Sequence, residues 1–459
     1  MRQAAALAWS SSSPSSSSST ALSMMLFTIE GRCGSARVGT LNLGSVQVLT
    51  PNVLVSMRKG SPAGLAPGLY RSDVVSLDGV SPVLEDAPLS SSPSSPLRAG
   101  GKALGGTLRA PVLTTAEALM DDLASNGVHT RLAHDGGVHG FYRLRGNGVA
   151  LAPRDPARFN AVIPATNAGI QLDTAGGRRS LTPAMYQQLV ESLRPDLCFA
   201  LSEELASPEA GRKSRCRTAV RRTLEWARES LGSATATPTP TLAVVSGGWD
   251  LESRIVCVSQ LVEHHLRSPA LAGFSVGGLG LGESEAERDV IMREVLARVP
   301  EEREDGKGAL VRHVGGMGTP EAVLHGVRRG IDLFDSSYAA QATLQGAALV
   351  FPVTEAEEEV AEDADFGDGE KVMLRSPSLK RDVRPILPGC ACSTCSRPHT
   401  RAYLHHLLET HEITGTTLLS AHNMHHFARF MDAVRGAVKG GEFERYADWF
   451  IGRRSRHDR

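Results

Sequence analysis

From about residue 195 the chain alternates between short apolar runs and longer segments with helical spacing. Leu197 to Leu201 is apolar, and Lys213 to Leu231 has helical character. Leu242 to Val245 ends in Ser246-Gly247-Gly248 and is followed by a helical pattern over Glu252 to Leu266. Phe274 to Val276 ends in Gly277-Gly278 before a helical Glu283 to Val299. Leu310 to Val314 ends in Gly315-Gly316 before a helical Pro320 to Arg329, and Ile331 to Phe334 ends at Asp335. Strands alternating with helices predict βα units and a parallel sheet. The interval suits a (β/α)8 TIM-type barrel of roughly 250 residues with insertions. In that fold the C-terminal strand ends carry the site, and glycine there lets a ligand or another backbone approach. A doubly wound open sheet is the alternative. It needs one main phosphate loop, and no GxGxxG opens a helix cleanly here.

Three stretches break the pattern. Met1 to Ser23 is rich in Ala and Ser, carries Arg2 and has no acidic residue, so 1–24 reads either as a mitochondrial targeting peptide or as a disordered tail. Met24 or Met25 is an alternative start. The Ser/Pro/Gly-rich stretch 89–106 reads as a surface insertion. An acidic stretch starting at Thr354, within 354–383, reads as a solvated insertion. The barrel is expected over 25–450, with a zinc-binding subdomain at 385–430 and a basic tail at 451–459.

The whole chain balances 49 basic against 50 acidic groups, which argues against a molecule-wide electrostatic grip on nucleic acid. A local basic face remains open. Arg212, Lys213, Arg215, Arg217, Arg221, Arg222 and Arg228 make one candidate, with a solvated barrel helix as the alternative; Arg435, Lys439, Arg445, Arg453, Arg454 and Arg456 make another. No run of 18 or more apolar residues is present, so no membrane span is expected.

The seven cysteines suit a reducing compartment and a metal better than a disulfide framework. Cys390, Cys392 and Cys395 lie within six residues, and several histidines follow: His399, His405, His406, His411, His422, His425 and His426. Three thiolates and one imidazole close a tetrahedral structural zinc site and leave no position for a catalytic water. Cys198 and Cys257 sit in apolar runs and read as core residues.

Four motifs in order resemble the tRNA-guanine transglycosylase family. Gly277-Gly278-Leu279-Gly280-Leu281-Gly282-Glu283 is similar to the family's GGLAVGE, and Gly316-Met317-Gly318-Thr319-Pro320 to its GVGTP. Gly330-Ile331-Asp332-Leu333-Phe334-Asp335 is similar to its G(V/I)D(M/L)FD segment. The cysteine cluster, then Arg401 to Leu407 and His422-Asn423, resembles its C-terminal zinc unit. The resemblance implies a TIM-type barrel with a zinc subdomain, one structural Zn2+ on Cys390, Cys392, Cys395 and His422, and exchange of the wobble guanine of tRNA for a deazaguanine base.

Base exchange at a ribose carbon needs one carboxylate as nucleophile and another to handle protons. By resemblance the nucleophile falls on Asp335; the plain alternative is an Asp that turns the end of a strand. The family's DSGGFQ segment has no match, and the corresponding region reads Ala-Leu-Ala-Pro-Arg-Asp-Pro, with Asp155 outside the motif. The base-reading positions of the FDE and QGG segments fall on Ser202 and Ser246, and Ser336-Ser337-Tyr338 replaces the PTR-type segment. This pattern implies a vestigial Asp335 and no catalytic residue. The chain then resembles a non-catalytic subunit, paired in a heterodimer with a catalytic queuine tRNA-ribosyltransferase subunit and acting on tRNA. Its expected location is the cytoplasm, with association at the mitochondrial outer membrane as a further expectation. The alternatives are an active transglycosylase that uses Asp335 and a zinc-stabilised RNA-binding scaffold.

Overall fold

A computed structural model describes residues 26–44, 46–58, 61–62, 111–123, 131–132, 134–144, 146–156, 162–232, 238–361 and 370–457. The tail 1–24 and the insertion 89–106 lie outside the described residues.

Eight parallel strands close into a barrel. They are β1 (Asn52–Arg58), β2 (Val112–Thr115), β3 (Val149–Ala152), β4 (Leu197–Phe199), β5 (Thr241–Val245), β6 (Leu271–Val276), β7 (Val311–Val314) and β8 (Leu333–Asp335). Each pairs with the next, and β8 returns to β1 through Leu333 with Asn52 and Asp335 with Leu54. The barrel expected from the alternating pattern is therefore present, and the open sheet is not. From β4 onward the observed strands and helices match the predicted segments to within a few residues. The first three strands carried no comparable signal.

Side chains alternate across each strand. Leu54, Leu113, Ala150, Leu197, Leu242, Ala272, Val311 and Leu333 fill the interior. An antiparallel sheet of Phe27–Cys33, Ala36–Leu43 and Val46–Thr50 adds Phe27, Leu41, Leu43 and Val48 to that cluster. This sheet meets the N-terminal side of the barrel, where Ala309 N donates to Phe27 O just before β7. The opposite end, where the glycine-rich loops lie, is left as the mouth. Beneath the sheet, Arg37 and Asp332 form a fully buried fork at 2.7 and 2.5 Å.

Local chemistry sets the helix starts. Thr319 caps the helix Pro320–Arg328 through Ala322 N, with Pro at its first position. Ser284 and Glu287 form a capping box on Glu285–Leu296. After β8, Ala347–Leu349 pairs antiparallel with Lys371–Met373. The helices Arg401–Glu409, Ile413–Lys439 and Phe443–His457 follow.

The acidic stretch is docked rather than solvated over its described part. In the helix Glu355–Ala361, Glu355 meets Arg445 at 2.9 Å, Glu357 meets Arg429, and Glu358 accepts from Trp449 Nε1 at 2.6 Å. Oppositely charged helices offer these carboxylates partners, which the local sequence does not reveal. The basic tail is likewise helical as far as His457, and Arg453, 1% exposed, lies 2.8 Å from Glu370. Among the described residues no helix is long and apolar enough to cross a membrane.

Candidate functional site

The barrel mouth holds a cavity of about 140 Å3, walled by Phe199, Val244 and Leu279 and by polar groups on the loops after β3, β4, β6 and β7. Ser202 and Glu204 follow β4 and line it, and Glu204 accepts from Gly278 N at 3.2 Å. Glu203 turns the other way, buried under Arg215 at 2.9 Å and Arg222 at 2.8 Å. Those two arginines of the candidate basic helix are thus spent on an internal carboxylate. Ser246 is also turned from the cavity; its hydroxyl meets Thr223 Oγ1 at 2.8 Å. Fully buried Arg254 holds the loops after β5 and β6 together by donating to Val245 O, Gly248 O and Gly278 O. Burial lowers its pKa to about 10, so it stays charged at neutral pH.

His313 on β7 lines the cavity, with Nδ1 2.8 Å from Ser275 Oγ and its ring edge-on to Phe199. Complete burial drives its pKa down to about 3, so the imidazole is neutral.

Asp335 closes β8 and is fully buried. Its Oδ2 accepts from Gly316 N at 2.7 Å and its Oδ1 from Ser337 N at 2.8 Å. A Cβ on Gly318 would stand 2.5 Å from Ser337 Oγ and 3.2 Å from Asp335 Oδ1, so the loop after β7 needs glycine there to pack against this carboxylate. Burial raises the Asp335 pKa against these two donors, and the charge of Asp155 raises it further. Asp335 is not among the residues that line the cavity, whereas Asp155 is. The structure thus brings Asp155, which matches no motif, within electrostatic reach of Asp335.

Away from the mouth, Cys390, Cys392, Cys395 and His422 converge, with their ligand atoms all within 4.8 Å of one another. The three sulfurs lie 3.8, 3.5 and 3.4 Å from His422 Nδ1. A tetrahedral ion with metal–sulfur bonds of about 2.3 Å and a metal–nitrogen bond of about 2.0–2.1 Å sets sulfur and nitrogen about 3.5 Å apart. The cluster therefore fits such an ion. His422 Nε2 donates to Leu349 O at 2.8 Å, which leaves Nδ1 free to act as ligand. Asn423 ties the same strand from the next position, accepting from Leu349 N and donating to Ala347 O. The competing histidines have other partners: His405 bonds Leu374 O, His426 bonds Phe351 O, and His399 stacks on Tyr403. Arg401 donates to Pro385 O and Ile386 O and so holds the approach to the cysteine loop.

The family model described as queuine tRNA-ribosyltransferase matches residues 113–456. The chain belongs to the queuine tRNA-ribosyltransferase family. It is 32% identical over 313 residues to a queuine tRNA-ribosyltransferase accessory subunit 2 of Xenopus tropicalis, covering 62% of this chain and 72% of the relative. A Drosophila erecta protein of the same name is 27% identical over 424 residues, 90% of this chain and 89% of the relative. A queuine tRNA-ribosyltransferase of Acidithiobacillus ferrooxidans is 31% identical over 300 residues, 64% and 71% respectively.

Within this family fold, the motif loops sit at the mouth as the strand pattern implied. What sequence reasoning missed is Arg154, which lines the cavity from the loop after β3, and the inward-facing pair Ser275 and His313. The only local signal for the pair was a polar residue inside each apolar strand.

Proposed function

We propose that this chain is the non-catalytic subunit of a two-chain queuine tRNA-ribosyltransferase, which exchanges guanine for queuine at the wobble position of tRNAs with GUN anticodons. The observation that carries the reading is the state of Asp335. Both of its oxygens accept backbone N–H bonds, it has no exposed surface, and it stands outside the cavity wall. A nucleophile must present a lone pair to the sugar carbon at close range. Asp335 instead caps the turn into the helix Ser337–Leu344. The base-reading positions support the same reading. Ser202 offers a short hydroxyl, and the hydroxyl of Ser246 is engaged by Thr223. A site that reads a base edge depends on buried polar partners at matched reach.

On this reading the zinc unit is structural. One Zn2+ on Cys390, Cys392, Cys395 and His422 would lock the cysteine loop to the helix Ile413–Lys439 and, through Leu349, to the strand Ala347–Leu349 that follows the barrel. The catalytic partner supplies the chemistry, and this chain supports tRNA binding and pairing. The reading extends to a cytoplasmic location with association at the mitochondrial outer membrane, which fractionation of tagged protein tests.

The test is guanine-for-queuine exchange on a cognate tRNA by this chain alone, by a catalytic homologue alone, and by the two mixed. Activity mainly in the mixture is expected. Full exchange by this chain alone, abolished by Asp335→Asn, would establish the active-enzyme alternative instead.

A further inference from the structure

We infer that the outer face of the cysteine-and-histidine unit, built on Lys380, Arg381, Arg384 and Arg397, is the surface by which this chain holds the phosphate backbone of tRNA. The inference rests on the reading of the chain as a subunit that supports tRNA binding and assigns that role to named residues.

Charge is spread unevenly along the chain. Residues 371–408 hold seven lysines and arginines against one carboxylate, Asp382, in a chain whose net charge is -1. The buried metal unit, three thiolates on a dication, would subtract only about one charge from that excess. Lys380, Arg381, Arg384 and Arg397 are all exposed. Backbone contacts gather them at one end of the helix Arg401–Glu409. Arg401 N donates to Arg384 O at 2.9 Å and Ala402 N to Asp382 O at 2.8 Å, which lays the segment 380–384 against the first turn. Arg397 lies shortly before Thr400, which caps that same turn through Tyr403 N. The lone carboxylate does not neutralise the face. Its side chain is 9% exposed and is taken up by Arg384 at 2.7 Å and by buried Arg401 at 3.2 Å. Among the described residues, Lys380, Arg381 and Arg397 have no carboxylate partner, so they present their charge to solvent.

The two basic stretches that the sequence offers for RNA contact are largely spent elsewhere. Arg215 and Arg222 hold Glu203, Arg212 meets Glu209 and Arg221 meets Glu225; Arg445 meets Glu355, and Arg453 meets Glu370. Arg228 and Lys439, which have no such partner among the described residues, are single charges on different helices. A polyanion is held where several unpaired cations lie together, because each cation that meets a phosphate releases a condensed counterion. Such contacts position a nucleic acid without reading its bases, which suits a chain with serines at the base-reading positions. An anionic membrane shares the phosphate chemistry, but a protein enters its interface with a continuous apolar face. Here Val383, 77% exposed, is the one strongly exposed large apolar side chain within 380–397.

The experiment titrates the full chain into a fluorescently labelled cognate tRNA transcript and follows anisotropy from about 50 to 200 mM KCl. Replacing Lys380, Arg381 and Arg397 together by Ala is expected to weaken binding at least about tenfold near the middle of that range. It should also flatten the slope of log K against log salt by about two to three. Arg217→Ala, on the barrel helix Lys213–Leu231, is the control and is expected to bind as wild type does. Zinc content, melting curves and co-elution with the catalytic homologue report an intact fold and intact pairing. Lys380→Gln with Arg381→Gln leaves the cysteine loop untouched and replaces the triple variant should that one fail to fold. A folded variant with unchanged affinity and slope overturns the inference, and so does an equal loss in Arg217→Ala. Loss of co-elution with unchanged tRNA binding would make this face a pairing surface instead. Loss of binding to vesicles of phosphatidylcholine and phosphatidylserine, with tRNA binding kept, would make it a lipid surface; either result overturns the assignment. Wild type that binds no tRNA removes the supporting-subunit reading as well, whereas unchanged variants leave that reading standing.

Discussion

Replacing Cys392 by Ser tests the proposed zinc unit at a fully buried ligand. Cys392 is fully buried, its sulfur lies 3.5 Å from His422 Nδ1, and it also accepts from Cys395 N at 3.3 Å. A serine hydroxyl keeps the shape but stays protonated near neutral pH and is a poor zinc ligand. Structural zinc sites are worth about 10–16 kcal/mol of folding free energy at pH 7. Shared over four ligands, that is roughly 2.5–4 kcal/mol for each. The neighbouring apolar cluster is small, built on Ala348, Val350, Val372, Leu374, Ile386, Leu404, Leu408 and Leu419. It touches the metal unit through the strand that His422 and Asn423 hold. Loss of the metal should therefore loosen residues 385–430 and leave the barrel folded. At about 2–4 °C per kcal/mol for domains of 150–250 residues, the melting transition of this part should fall by roughly 5 °C or more. The assays are zinc content per chain by elemental analysis, thermal unfolding, and limited proteolysis mapped to 385–430. A Cys392→Ser protein that retains one zinc per chain and melts with wild type would refute the reasoning.

Two further outcomes are expected. Arg37→Met should lower stability to urea by about 3–5 kcal/mol, because it strands the buried Asp332 carboxylate, and Arg37→Met with Asp332→Leu should recover much of that loss; a single variant within error of wild type would contradict this. His313 has a folded pKa of about 3 against an ordinary 6.5, so in that window the unfolded chain takes up a proton that the folded chain refuses. Its contribution is fully present above pH 6.5 and is lost as pH falls toward 3. The stability of His313→Gln, followed by chemical denaturation from pH 7 to 4, should decline less steeply than that of wild type.

Much of the architecture was legible because the relevant signals are local. Short apolar runs alternating with helical spacing marked β4 to β8, three of them ending in glycine pairs. β2 and β3 were not legible, because β2 follows a low-complexity stretch and the helices between them, Ala116–Leu123 and Val138–Phe141, are too short to show the helical period that set off the later strands. The cysteine cluster was visible for the same local reason, since three thiols within six residues need little folding to meet. The histidine was different: seven candidates follow the cysteines, and motif resemblance singled out His422 before its Nδ1 was seen to face the sulfurs.

The chain by itself determined the residue types at the mouth: an aspartate ending β8, serines where a base would be read, and an arginine after β3. Tertiary structure alone decided what those groups can do. It buried both oxygens of Asp335 under backbone N–H groups, spent Arg215 and Arg222 on Glu203, brought Asp155 toward Asp335, and tied Arg154 to the carbonyls of Ile163 and Gln171. Reactivity depends on burial, on partners and on neighbouring charge, and these are set by residues tens to hundreds of positions apart in the chain.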